Sequence, residues 1–277
     1  MFREKRFDAG KVEINYADGP PNGPPLVLLH SLGGRWQSFY SILPSLAMRW
    51  HVKALDFRGH GGSGRVPGEY RVKDYYGDTL RFVEENLTEP AVLFGSSMGG
   101  WIATMLAANR PEKTRALIIG DSPLTIDYRD EISPFLAHIK AERDNASLDL
   151  PISELASKLS GDKKTPMAMA KARSLIQLDP DVMSAWIEGI EDEESFKDYH
   201  EGYDLESLVE SISCPILLLQ ANPEKGGAMK DEAVEIVTSR LADAYHLYFE
   251  EFGHELGMST WNTGRLLRAV VTFLESL

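Results

Sequence analysis

The sequence predicts an α/β architecture: a doubly wound, mostly parallel eight-stranded sheet with a helical insertion. Three observations carry that expectation. Short apolar runs alternate with helix-length stretches along most of the 277 residues. The pentapeptide Gly95-Ser96-Ser97-Met98-Gly99 stands where one such run meets a helix-like stretch. Between Ser122 and Leu205 the strand rhythm stops, and a polar, charged segment broken by Pro134, Pro151, Pro166 and Pro180 replaces it.

The elements follow in order. Residues 5–7 and 11–16 read as an antiparallel hairpin around Asp8-Ala9-Gly10. A turn-rich connector, 18–25, leads to parallel strands at 26–29, 52–56, 91–94, 116–120, 216–220 and 245–249. Helical segments at 36–48, 75–86, 100–109 and 231–240 separate them, and a C-terminal one covers 260–277. Residues 1–121 and 206–277 form the core; 122–205 is inserted after the sixth strand as a helical cap over the active site. Leu136, Ile139, Leu155 and Leu159 show helical spacing inside it. Ligands in doubly wound sheets bind beyond the carboxyl ends of the strands.

Three loops at those ends carry chemistry. A serine on a sharp strand-to-helix turn needs small residues two positions away on each side. Gly95 and Gly99 satisfy this for Ser97; Ser96 fails it, flanked by Phe94 and Met98. The helix that follows points its N-terminus at negative charge formed there. His30-Ser31-Leu32-Gly33-Gly34 follows the strand at 26–29, and its glycines let backbone N–H groups approach a substrate oxygen. Gly253-His254-Glu255 follows the last strand, where an order of Ser, acid, His places its base.

With Asp56-Phe57-Arg58-Gly59-His60-Gly61-Gly62-Ser63-Gly64 added, the chain resembles the α/β-hydrolase-fold serine hydrolases over residues 6–277, with a capped-esterase pattern of insertion. The resemblance implies that Ser97 attacks a carbonyl carbon while His254 takes its proton. The backbone amides of Leu32 and Met98 then form the oxyanion hole. Ser31 departs from the family, where glycine is usual. For the triad acid, the family's usual place after the seventh strand falls on Glu224; some members place it after the sixth, which falls on Asp121. Both stay open. Trp36, Trp101, Phe135 and Trp186 are pocket candidates. The expected reaction is hydrolysis of small, fairly apolar carboxylic esters through an acyl-enzyme, with no metal and no cofactor. Lactonase, C–C hydrolase and perhydrolase chemistry belong to the same fold. A C–C hydrolase needs cationic residues to hold a substrate carboxylate, such as Arg35 or Arg129, which the sequence does not place. A small-molecule sensor with vestigial hydrolysis is the reading from another class.

Composition narrows the partners. A net charge of −13 opposes nucleic acid or an anionic membrane surface. Residues 1–6 contain no apolar segment of a secretory signal, and no apolar run approaches a membrane span. Cys214, the single cysteine, reads as a buried inert thiol. Together these predict a cytoplasmic monomer or homodimer acting on a small-molecule ester.

Overall fold

The computed structural model describes residues 1–132, 136–161 and 165–277, with the side chains of 130 and 131 excluded. Eight strands form one sheet: β1 (Arg3–Asp8), β2 (Glu13–Asp18), β3 (Pro25–Leu29), β4 (His51–Leu55), β5 (Ala91–Ser96), β6 (Thr114–Gly120), β7 (Ile216–Ala221) and β8 (Ala244–Phe249). Their order is β1-β2-β4-β3-β5-β6-β7-β8. β2 runs antiparallel to β1 and β4, and all other pairs are parallel.

The chain steps outward from β3 to β4, then returns to place β5 on the other side of β3. That reversal opens a crevice at the carboxyl ends of β3 and β5. The register pairs Leu29 with Gly95 and Ser96 with Gly120. The loops that begin at His30, Ser97 and Asp121 therefore start side by side.

Strands β3 and β5 are buried along their whole length, so their alternate residues feed two cores. Leu26, Leu28, Val92 and Phe94 pack with α1 (Leu43–Leu46) and α12 (Gly264–Glu275) on one face. Val27, Leu29 and Leu93 pack with α2 (Val72–Asn86), α3 (Met98–Asn109) and α11 (Asp231–Arg240) on the other. Burial of such apolar surface, at about 25 cal/mol per Å², is the main force holding helices to sheet.

Between β6 and β7 lie α4 (Arg129–Ile132), α5 (Leu136–Ala146), α6 (Ile152–Ser160), α7 (Pro166–Ile176), α8 (Pro180–Glu191), α9 (Glu193–Tyr199) and α10 (Leu205–Val209). Pro166 and Pro180 each occupy a first helical position, where a missing N–H costs nothing. Asp192, in the acidic run, caps α9 by accepting from the Ser195 amide.

Some expectations shift in detail. The segment 36–48 is a 3₁₀ turn, Trp36–Phe39, followed by the separate α1, which opens on Leu43-Pro44 because proline has no N–H to continue an incoming helix. The last helix begins at Gly264 instead of 260, since Leu256 and Trp261 hold positive φ in the turns before it. Cys214 is half-buried, and burial pushes its thiol up to about 11, away from thiolate chemistry. Among the described residues, no helix is long and apolar enough to cross a membrane, and no group of three His, Cys, Asp or Glu could hold a metal ion.

Candidate active site

Ser97 sits between the last residue of β5 and the first of α3 with φ 52° and ψ −120°, a conformation costly for a residue with a side chain. The glycines around it explain how the turn closes. A Cβ on Gly95 would stand 2.1 Å from the Gly99 carbonyl oxygen, and one on Gly99 would stand 2.2 Å from that of Leu29. The Ser97 amide donates to Gly120 O at 3.0 Å, and its own carbonyl accepts from Gly100 N and from Ser122 Oγ, each at 2.7 Å. Ser122 thus pins the turn from the end of β6; the Asp-Ser-Pro step after an apolar run was the only trace of it in the sequence.

Asp121 follows β6 directly, is fully buried, and has φ 40°. Its Oδ1 accepts from the amides of Ala221 (2.9 Å) and Met229 (3.3 Å), and its Oδ2 from that of Ala228 (2.8 Å). His254 Nδ1 lies 2.7 Å from the same Oδ2. Since three backbone donors already fix the carboxylate as acceptor, the Nδ1 position carries the imidazole proton. Nε2 is left with a free lone pair. Among the described residues no hydrogen bond joins Ser97 to His254; such contacts often tighten only when substrate binds. Leu256, two residues beyond His254, reaches within 3.3 Å of where a Gly120 Cβ would be, which places the histidine loop over the ends of β5 and β6.

Glu224 does not meet His254. It is exposed, in the 3₁₀ turn Pro223–Lys225, with its amide capped by Asn222 Oδ1. Gly227 N closes back on Asn222 O at 2.9 Å, so Glu224 stands at the tip of a tight loop, with no hydrogen bond to His254 among the described residues. The departures already visible there, Asn-Pro before the glutamate and Gly-Gly after it, build that loop.

Two buried histidines brace the loop that holds Leu32. His30 Nε2 accepts from the Phe57 amide at 3.0 Å, and His30 Nδ1 lies 2.8 Å from Ser31 O. His60 Nε2 accepts from the Gly33 amide at 3.1 Å, and its Nδ1 lies 2.9 Å from Arg58 O. Burial, reinforced by the neighbouring His60, holds the His30 pKa well below the ordinary range; burial drives that of His60 down to about 4. Asp56 completes the brace, accepting from Trp36 N at 2.6 Å, Gly62 N at 2.8 Å and Asn15 Nδ2 at 2.8 Å. With the Gly33 amide spent on His60, the Leu32 amide, which bonds to no described residue, stays available to a substrate oxygen. Met98 is the first residue of α3, so its amide has no partner within the helix. The role of His60 had a signal in the Arg-Gly-His-Gly run, though the run itself names no partner.

The aromatic candidates separate. Trp36 is buried, with its indole N–H on Glu4 Oε1, in the core on the α12 face. Trp101 is buried against Tyr128 with ring centroids 5.8 Å apart, and its N–H goes to Pro123 O. Both are spent on packing. Trp186 is half-buried and donates to Tyr128 Oη at 3.3 Å. Phe135 lies outside the described residues. Tyr199, not singled out in the sequence, brings its hydroxyl 4.0 Å from Met98 Sδ beside the elbow. Arg129 is tied to the carbonyls of Ile190 and Glu191, whereas Arg35 reaches Gln177.

Comparison with known proteins agrees with the fold. The family model described as alpha/beta hydrolase fold matches residues 24–150. A putative non-heme haloperoxidase of Mycobacterium phage D29 is 33% identical over 40% of this chain and 40% of its own length. A serine hydrolase-like protein of Danio rerio is 33% identical over 38% of this chain and 32% of its own. The chain thus matches well under half the length of these curated relatives. The crystal structure of a putative lipase from Acinetobacter baumannii superposes with a TM-score of 0.75 at 21% identity, covering 99% of this chain and 91% of that one. The strand order, the family match and the superposed structure together give this chain the α/β-hydrolase fold.

Proposed function

We propose that this protein is a serine hydrolase that cleaves carboxylic esters through an acyl-enzyme. The observation that carries the reading is the 2.7 Å contact between His254 Nδ1 and the buried Asp121, beside a serine held at φ 52°. Asp121 orients the imidazole and stabilises it once charged. Nε2 takes the Ser97 proton as Oγ attacks the carbonyl carbon, then returns it to the departing alkoxide. Water repeats the cycle and frees the acid. The amides of Leu32 and Met98 receive the developing oxyanion, and each such donor contributes about 3 kcal/mol in the transition state. The similarity to a serine hydrolase-like protein and to a putative lipase supports the assignment.

The test is hydrolysis of 4-nitrophenyl esters of increasing acyl length by the full chain, with Ser97→Ala and Glu224→Gln beside it. Ser97→Ala is expected to lose about 10⁴-fold or more in kcat; Glu224→Gln is expected to stay within about twofold. Turnover that survives Ser97→Ala would refute the mechanism.

A further inference from the structure

Arg35 is a largely buried cation that forms no salt bridge with any described residue. It follows Gly33-Gly34 directly and is only 9% exposed. Its Nη1 donates to Gln177 Oε1 at 2.8 Å, the one side-chain bond to a described residue made by a group with five N–H donors. No carboxylate of the described residues pairs with it within 4.0 Å. Two acids attract it through space, but their oxygens bond to neutral donors and not to the guanidinium. Asp56 holds the amides of Trp36 and Gly62 and the Asn15 side chain, and Glu4 Oε1 holds the Trp36 indole. A second cation, Arg173 of α7, adds to the charge. The free nitrogens of Arg35 keep contact with solvent, since none is among the sealed, unpartnered side-chain atoms.

Its place is the seam between the loop at 30–35 and the α7–α8 corner. A Cβ on Gly33 would stand 3.0 Å from the Met183 methyl carbon of α8, and the Asp179 amide donates to Gly59 O at 2.7 Å. The insert's residues 177–183 therefore lie over the loop that presents Leu32. The same loop touches the nucleophile's turn, where Gly99 packs against His30 O.

A cation largely withdrawn from water and lacking a salt bridge is costly, and an anion placed against its exposed nitrogens offsets that cost. A guanidinium beside an amide offers planar donors that match a carboxylate. We propose that Arg35 and Gln177 form a subsite for a carboxylate carried on the substrate, so that the preferred esters are monoesters of short dicarboxylic acids. This substrate class rests on the serine-hydrolase reading above. Gln177 comes from the insert and Arg35 from the core, so a bound carboxylate would tie the two together beside the loop that carries Leu32.

The experiment compares 4-nitrophenyl monoesters of succinate, glutarate and adipate with the butyrate, valerate and hexanoate esters, corrected for spontaneous hydrolysis. Wild type is expected to favour the charged series at least tenfold in kcat/KM at the best length, mainly through KM. Arg35→Met should erase that ratio and Arg35→Lys keep part of it. Gln177→Leu leaves the guanidinium in place and should weaken the ratio several-fold, a second handle if Arg35→Met folds poorly. Free glutarate, titrated by calorimetry, should bind wild type and not Arg35→Met. An equal preference for both series in wild type, or a preference unchanged in Arg35→Met, overturns the subsite. No turnover of either series strikes the hydrolase reading alone, and glutarate binding then still decides the subsite.

Discussion

At the carboxyl ends of β5 and β6 the backbone itself is under constraint; in the insert between β6 and β7, side chains do the holding. Ser97 and Asp121 take positive φ within a few ångströms of glycines that admit no Cβ. The insert instead grips the core through Tyr70 Oη donating to Asp179 Oδ2 at 2.6 Å, through the Arg71–Asp198 pair at 2.7 Å, and through the contacts at Arg35. Strain sits at the turns that hold Ser97 and Asp121, whereas side-chain contacts, which adjust more easily, tie the insert to the core. The two regions should therefore answer substitution differently.

The largest contrast is between two buried aspartates. Asp121→Asn leaves the fold nearly isosteric but can hold the wrong tautomer of His254, so kcat should fall about 10³–10⁴-fold. Asp179→Asn, in the insert, still accepts from Tyr70 and should cost less than about tenfold in kcat/KM. Comparable losses in steady-state assays would mean that the insert shapes the reacting centre as directly as the sheet does.

Glycines give the next contrast, in stability. A methyl at Gly99 meets the Leu29 carbonyl at 2.2 Å, backbone that cannot swing away. Gly99→Ala should cost about 3 kcal/mol or more in chemical denaturation. Gly161, at the C-terminus of α6, has φ 60° and no described atom within 4 Å of a Cβ there, so Gly161→Ala is expected to bear mainly the left-handed penalty of about 1 kcal/mol. A mild effect at Gly99 would show that the elbow relaxes more than its geometry indicates.

That contrast also explains what could be read in the sequence. Gly95, Gly99 and the apolar runs are dictated by the backbone, so the sheet, the elbow and the positions of Ser97 and His254 are visible as patterns. Asp121 and Glu224 could not be separated by pattern, because the choice depends on where three amides of another loop, at Ala221, Ala228 and Met229, come to rest. The same holds for Trp36 and Trp101, whose indole N–H groups find partners 32 and 22 positions along the chain. In the insert, helices were legible from the proline breaks. The cluster of Tyr128, Trp186 and His200 was not, since its contacts join residues 58 and 72 positions apart.

Protonation sharpens the comparison, because each region buries a neutral histidine. Burial lowers both His60 and His200 from an ordinary 6.5 to about 4. A depressed histidine pKa means that the unfolded chain binds more protons between those values. Stability is then full above pH 6.5 and is lost as pH falls toward 4, by about 3 kcal/mol per histidine. His200→Gln should remove roughly one proton from the slope of unfolding free energy against pH, with little change in kcat at neutral pH. His60→Gln should flatten the slope similarly but lower kcat as well, because Gly33 loses its ring acceptor. Equal kinetic effects of the two would mean that the His200 cluster also orders the site.

The smallest effect is expected at the rim. Arg71, just before α2, pairs with Asp198 of α9, and both side chains are close to half exposed. Solvent and salt screen such a pair, and holding two long side chains in register offsets much of the attraction, so Arg71→Ala should change stability by less than about 1 kcal/mol. Its kinetic effect tests something else. If the insert must part from the core for substrate to enter, loosening this pair should raise KM or kcat slightly and make the wild-type rate depend on ionic strength, a dependence that Arg71→Ala would lose. A rate indifferent to salt in both proteins would mean that the insert stays fixed at this corner during turnover. Entry would then have to occur at another point along the seam.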